Sequence, residues 1–452
     1  MTHTEKLVGA TGRSPLRQKP KDNLDILTSM PPSSLDTYLA TRALGSPWRL
    51  SGNPERGFNG AVVIPSLAES PNLFSTLRSL GQNPGECRSR FLVVVVVNHR
   101  EDAPRTDKED NFRTLERLST ADPSLAGLPL AWVDAASPGL ELPARAGGVG
   151  MARKIGFDLA LPRLDAGQSP PLLVSLDADT LCRPDYLPAI EHHFRKAAVP
   201  GAVIPFCHQP GSSEEEDRAI RRYELFLRAY VLGLELAGSP YAFHTVGSAM
   251  ACTAEGYARM GGMNFRGAGE DFYFLQHLAK IGGVSQLKGT VVYPSARTSH
   301  RVPFGTGRSM TDLLSGRNGA VLFYRVECFR VLGDWLRLVE ESREVDAQLL
   351  QQKAGRLSRP LAAFLEENKF VSVWEKLRRN FRTPEKLSRG FHEWFDGLKT
   401  MKLIHHFSAG PYPRQDPEPA VLALLRWAGL DPVEEIGPQL EVLRRIQIGE
   451  TY

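Results

Sequence analysis

The sequence predicts an α/β fold, a doubly wound, mostly parallel (mixed) sheet with a C-terminal helical extension. Three observations carry that expectation. Between residues 58 and 310, short apolar runs alternate with amphipathic segments of about 10–15 residues, the rhythm of strand–helix–strand units. One run, Phe91–Val97, is β-branched and without polar alternation, as in a central strand covered on both faces. Beyond about residue 310, apolar residues recur at three-to-four spacing with breakers at Pro360, Pro384 and Pro411, which describes packed helices.

Residues 1–57 read as an N-terminal extension, partly flexible, because Pro, Ser, Lys and Arg dominate and only Leu35–Leu44 has helical spacing. Ala61–Pro65 is the first strand and Leu73–Leu80 the helix after it. Phe91–Val97, a helix over Asn111–Leu118 and a strand at Leu130–Val133 follow. Gly147–Leu161 is a helix with a glycine-rich entry, Leu172–Leu176 a buried strand, residues 184–196 a helix and Ala202–Pro205 a strand. Glu214–Glu215–Glu216–Asp217 opens a further helix, where acids complement the dipole. His244–Cys252 reads as a strand, Glu255–Met260 and Phe272–Ile281 as helices, and Val291–Tyr293 as the strand closing the sheet. Residues 58–310 form the α/β domain and 311–452 the helical region.

Composition excludes several classes. A net charge of +4 over 452 residues does not argue for a nucleic-acid partner. The five cysteines are dispersed, without the spacing of a disulfide frame or a zinc site, which suits a reducing compartment. The opening Met1–Lys6 is too polar for a secretory signal, and Phe91–Val97 falls far short of the ~20 apolar residues of a membrane span. A cytoplasmic location is expected. Lys369–Lys402 interleaves nine Lys or Arg with Trp374, Phe381, Phe391, Trp394 and Phe395. A packed helical core explains that stretch, and a membrane-peripheral amphipathic surface is the alternative.

The chemistry is concentrated after the strand at 172–176, where Asp177–Ala178–Asp179 follows. In an extended chain, residues i and i+2 share a side, so both carboxylates converge beyond the carboxyl end of a strand, where open α/β sheets hold ligands. Such a pair suits a hard divalent cation, Mg²⁺ or Mn²⁺, with its other positions left to phosphate and water. The plainer reading of Asp179 and Thr180 is a helix cap. Gly147–Gly148–Val149–Gly150 lets backbone N–H groups approach an anion at a helix start, yet lacks the dinucleotide fingerprint.

Four motifs in order give the chain its likeness. Pro65–Ser66–Leu67–Ala68–Glu69, Ala152–Arg153–Lys154–Ile155–Gly156, Asp177–Ala178–Asp179 and Gly269–Glu270–Asp271 resemble those of family 2 glycosyltransferases, nucleotide-sugar-dependent enzymes of the GT-A fold. The resemblance spans about residues 58–310. It implies a metal-dependent, inverting transfer of a sugar from a nucleotide-diphosphate donor to the hydroxyl of a carbohydrate or lipid-linked acceptor. By the same likeness Asp271, with Glu270 second, is the base that deprotonates the acceptor. Asp177 and Asp179 hold the cation with His300 as a third ligand, and Pro65, Glu69, Asn98, Arg153, Lys154, Asp177, Arg301 and Arg308 line the donor. The departures are Ala68 where the family has Asn, Asn98–His99 where it has acids, and Lys154 where it has Asn. His244 lies on the strand before the acceptor loop and reads as a satisfied core histidine. A glycosyltransferase-like scaffold that binds nucleotide without turnover is the alternative.

Overall fold

The computed structural model describes residues 33–449 except 121, 146, 166–168, 266–268, 299–305 and 315–320. Its ten strands are β1 (Leu50–Gly52), β2 (Gly60–Ser66), β3 (Phe91–Asn98), β4 (Leu130–Ala135), β5 (Leu172–Ser175), β6 (Leu181–Cys182), β7 (Gly201–Val203), β8 (Met250–Thr253), β9 (Val284–Gln286) and β10 (Val292–Tyr293). Eight of them form one sheet in the order β1-β4-β3-β2-β5-β8-β7-β9. Strands β2 to β5 are mutually parallel; β8 runs antiparallel between β5 and β7, and β9 lies parallel on the β7 edge. The sheet is therefore mixed, as expected.

Helices α1 (Ser34–Thr41), α2 (Ser70–Gly81), α3 (Gly85–Arg88), α4 (Arg105–Ser119), α5 (Val149–Ala160) and α6 (Tyr186–Lys196) precede the long α7 (Glu214–Leu236), then α8 (Ala254–Arg259), α9 (Glu270–Gly282) and α10 (Thr306–Leu314). Period-two alternation along β2 and β3 sorts the core into two layers. Val62, Ile64, Val93 and Val95 pack with Phe74, Leu77 and Ile190, whereas Ala61, Val63, Val94 and Val96 pack with Ile155, Phe157 and Phe274. Burial on both faces is why β3 carries no polar residue before Asn98.

From β2 the chain moves outward to β3 and β4, then crosses back to place β5 on the other flank of β2. That reversal opens a crevice between the carboxyl ends of β2 and β5, the position at which doubly wound sheets bind ligands.

Two expected strands differ. Of His244–Cys252, only the end becomes strand β8, because Val246–Ala249 turns back on itself through a hydrogen bond from the Ala249 amide to the Val246 carbonyl. Val291–Tyr293 does not close the sheet; β10 pairs instead with β6 in a separate ribbon, and the unforeseen β9 takes the edge. The segment before residue 58 is docked from residue 33 onward. Its β1 pairs with β4, and Tyr38 of α1 donates to Asp158 at 2.7 Å.

The C-terminal helices are α11 (Val326–Glu341), α12 (Ala347–Leu357), α13 (Arg359–Glu367), α14 (Phe370–Asn380), α15 (Pro384–Trp394), α16 (Gly397–Ala409), α17 (Pro417–Trp427) and α18 (Ile436–Ile448). They close around Trp335, Phe370, Trp374, Phe391 and Phe395, all buried, together with Leu225, Ala229 and Leu232 of α7. Burying each aromatic contributes roughly 1.5–3 kcal/mol. The aromatics of 369–402 are thus core side chains, and no described helix is long and apolar enough to cross a membrane. A polar cluster joins this region to the sheet. Glu224, fully buried on α7, accepts from Arg228 at 2.8 Å, from Arg444 of α18 at 2.8 Å and lies 3.0 Å from His208 Nδ1.

Candidate functional site

The chain leaves β5 at Ser175 and, after Asp177, enters a turn closed by the Thr180 amide donating to the Asp177 carbonyl at 3.1 Å. The two aspartates thus flank a turn and do not share one side of an extended strand. They stay close enough that Asp177 raises the pKa of Asp179. Each is engaged by a different arginine, so the pair is not bare as the sequence suggested.

Arg153, on the second turn of α5, is almost wholly buried. Its guanidinium donates to Asp177 Oδ1 at 2.5 Å, to Ser175 Oγ at 2.9 Å and to Glu270 Oε1. Burial opposes its charge, but Asp177, Glu270 and Asp271 outweigh that and hold it protonated. Gly247 makes the arrangement fit, since a Cβ there would collide with the Arg153 guanidinium. One side chain thereby ties α5, the β5 turn and the start of α9 together.

Arg297, on the segment leaving β10, does the same on the other side of the turn. Its Nε donates to Asp179 Oδ2 at 2.8 Å and its Nη2 to Glu69 Oε1. Glu69 follows β2, so this contact spans the β2–β5 crevice. Gln209 fixes the turn from below, donating to the Asp179 carbonyl at 3.0 Å and the Tyr293 carbonyl at 2.6 Å.

Among the described residues, five carboxyl groups (Glu69, Asp177, Asp179, Glu270 and Asp271) lie around the guanidinium groups of Arg153 and Arg297. Burial and the crowding of acids appear in the titration. Asp179 is pushed up to about 6 by burial, then by Glu69, with Arg297 opposing. Asp271 is pushed up to about 7 by burial and then Glu270, with Arg153 and the Phe272 amide opposing. Asp271 opens α9 behind Gly269, whose φ of +69° gives the sharp entry.

The other expected residues are distributed as follows. Pro65 is buried in β2, and Asn98 ends β3 with its amide donating to the Val96 carbonyl at 2.9 Å and the Ser66 carbonyl at 3.3 Å, so both lie on the same rim. Asn111 links the two rim loops, accepting from the Ala68 amide at 2.9 Å and donating to the Asn98 carbonyl at 2.9 Å. Lys154 is not brought to the acids. It sits in a buried pair with Asp158 at 2.9 Å and touches the Tyr38 hydroxyl, because its side chain takes the α1 side of α5 where that carboxylate is already buried. His244 is a core residue whose Nε2 lies 3.1 Å from Gln447, with burial holding it neutral at about 3. His300 and Arg301 lie outside the described residues, as does the Arg308 side chain.

Arg297, Ser175, Gln209 and Gly247 were not foreseen. Arg297 stands in the same basic loop as Arg301 and Arg308, and nothing local singles it out.

Among the described residues no group of three or more His, Cys, Asp or Glu is placed to hold a metal ion. Asp177 Oδ2 and Asp179 Oδ1 nevertheless have no hydrogen-bond partner there. One or two carboxylates completed by substrate phosphates and water is a common arrangement for Mg²⁺. The donor set fits a cation on those terms.

No family model and no curated protein matches the chain. Among solved structures it is similar to S. aureus TarS 1-349 in complex with UDP-GlcNAc, at 11% identity over 68% of this chain and 92% of that one, with a TM-score of 0.33. It is similar also to the mannosyltransferase PcManGT from Pyrobaculum calidifontis in complex with GDP-Man and Mn²⁺, at 17% identity over 80% and 93% of the two chains, TM-score 0.34. A third is glucosyl-3-phosphoglycerate synthase from Mycobacterium tuberculosis in complex with phosphoglyceric acid, at 14% identity over 58% and 73%, TM-score 0.29.

Proposed function

We propose that the protein is a glycosyltransferase that moves a sugar from a nucleotide-diphosphate donor to an acceptor hydroxyl, with a divalent cation (Mn²⁺ or Mg²⁺) and inversion at the anomeric carbon. The observation that carries this reading is the gathering of carboxyl groups from three segments at the β2–β5 crevice, with Asp271 raised to about 7 beside them. A general base works best with a pKa near the operating pH, and Asp271 meets that condition where an ordinary aspartate does not.

In this reading Asp177 and Asp179 would hold the cation, which when bound would supply positive charge against the leaving diphosphate. Arg297, at the mouth of the crevice, is placed to shift from its carboxylates onto a phosphate oxygen. Arg153 keeps the Asp177 turn and the Glu270–Asp271 helix in register. Asp271 accepts the acceptor's hydroxyl proton as the new carbon–oxygen bond forms and the bond to the diphosphate breaks. Asn98, Pro65 and the Ala68–Glu69 loop form the rim against which a nucleoside would lie. His300 remains a proposed third ligand of the cation, and Arg301 and Arg308 remain proposed donor-side groups.

The engagement of both aspartates by arginine favours a second reading, a scaffold that binds sugar nucleotides without turnover. One experiment separates the two. Thermal shifts are measured with UDP- and GDP-sugars, with and without Mn²⁺, alongside release of nucleoside diphosphate. A micromolar donor at millimolar dose should stabilise by ~4 kcal/mol. Asp179→Ala should lose the Mn²⁺-dependent part. Stabilisation with no release under any acceptor or hydrolysis condition supports the scaffold, and no stabilisation by any sugar nucleotide removes both.

A further inference from the structure

A second binding site lies on the outer flank of the same sheet. A cavity of about 470 Å³ opens between α4 and the β1–β4 edge. Its lining includes the aromatic side chains of Trp132 on β4 and Phe112 on α4. Phe112 is 41% exposed, which is unusual for a phenyl ring on a helix that packs against the sheet.

Three charged side chains, Arg49, Glu116 and Asp134, line the same cavity. None of them forms an ion pair among the described residues, although arginines and acids elsewhere on this surface pair freely. Arg49 and the Glu116 carboxylate make no side-chain hydrogen bond to any described residue, and Asp134 uses only Oδ1, accepting from the Ala136 amide at 3.0 Å and the Ser137 amide at 2.8 Å. A guanidinium group and carboxylate oxygens with no described partner thus line the same cavity as two aromatic side chains.

We infer that this cavity binds a neutral saccharide. A pyranose ring has an apolar C–H face, which lies on an aromatic ring, and a rim of vicinal hydroxyls, which pair with carboxylate oxygens and guanidinium N–H groups. The three charges sum to one negative, so a phosphorylated or carboxylated ligand is disfavoured and an uncharged polyol is not. The inference is independent of the transfer reaction, but the location gives it a use. Strand β4 lies three strand spacings from β5, roughly 14 Å at ~4.8 Å each. A glycan of a few residues would reach from this cavity to the acid cluster and raise the local concentration of its end there.

The test is titration of the full chain with maltotriose, cellotriose, mannotriose and chitotriose, read by calorimetry and by saturation-transfer NMR. At least one should bind with a Kd of 5 mM or tighter. Phe112→Ala and Arg49→Ala should each weaken it five-fold or more, with circular dichroism unchanged. Both side chains are surface groups, so a failure of one variant to fold leaves the other to decide. No binding by any of the four up to 20 mM overturns the inference. So does binding that both variants leave intact, or competition of the sugar by Mn²⁺ with a sugar nucleotide, which would place it at the acid cluster.

Discussion

Arg297 Nε donates to Asp179 Oδ2 at 2.8 Å, and the same guanidinium reaches Glu69 on the far side of the β2–β5 crevice. One cation therefore holds together the two loops that bound the crevice. Arg297→Ala should leave Asp179 with Glu69 and Asp177 as near neighbours and without its paired guanidinium, raising its pKa beyond about 6. Binding of a sugar nucleotide, measured by calorimetry, should weaken by roughly ten-fold, about 1.4 kcal/mol. Arg297→Lys should fall between, because an ammonium supplies the charge but not a fork that spans two carboxylates.

Asp271 is the group proposed to take the acceptor proton. Asp271→Asn should retain donor binding while transfer, followed by release of nucleoside diphosphate, drops by roughly 10²–10⁴-fold. Glu270→Gln should instead loosen Arg153, to which Glu270 is paired, and weaken donor binding as well. Equal losses of kcat in both variants, with binding intact in both, would show that the two acids had been given the wrong roles.

The raised pKa of Asp271 has a signature in stability. An unfolded aspartate titrates at ~3.9 and the folded one at about 7, so the folded state holds a proton that the unfolded state lacks across that window. Stability contributed by this group is therefore greatest at the acid end and falls as pH rises towards 7, flattening above it. Asp271→Asn fixes the uncharged form. Its Tm relative to the parent chain should rise steadily from pH 5 to 7.5 and then level off. Asp179, at about 6, adds a smaller term of the same sign.

Glu224 anchors the C-terminal helices to the sheet through Arg228, Arg444 and His208, and is wholly buried. Glu224→Gln leaves buried guanidinium charge without its counter-ion, a change that costs about 3–5 kcal/mol. Urea denaturation should report it as a lower midpoint. Arg444→Ala should cost less, because that side chain lies nearer the surface and Arg228 still compensates the carboxylate.

Much of the fold can be read locally. Phe91–Asn98 had to be a covered strand, since eight residues without a charge in a chain this polar have nowhere else to go. The helices after β2 and β5 follow from apolar spacing. The edge of the sheet could not be read. Val284–Gln286 holds one apolar residue in three and Val292–Tyr293 is only two residues long, and which of them joins the sheet depends on partners far away in sequence.

The acids of the site were legible in two ways. Asp177 and Asp179 stand out by their place just after a buried strand, whereas Glu69, Glu270 and Asp271 were pointed to only by the likeness of their motifs. Their cations were not. Arg153 sits in a motif but its partners lie 24 and 117 residues away, and Arg297 meets Asp179 across 118. Lys154, adjacent to Arg153 and identical in charge, goes to Asp158 on the other side of α5. Sequence by itself determined most of the elements and that Asp177 and Asp179 stand at the sheet's carboxyl rim, because apolar periodicity and the end of a buried strand are local properties. Only the tertiary structure decided which cation meets which acid, because a long flexible side chain chooses among buried charges by distance and desolvation, and neither is written in its neighbours.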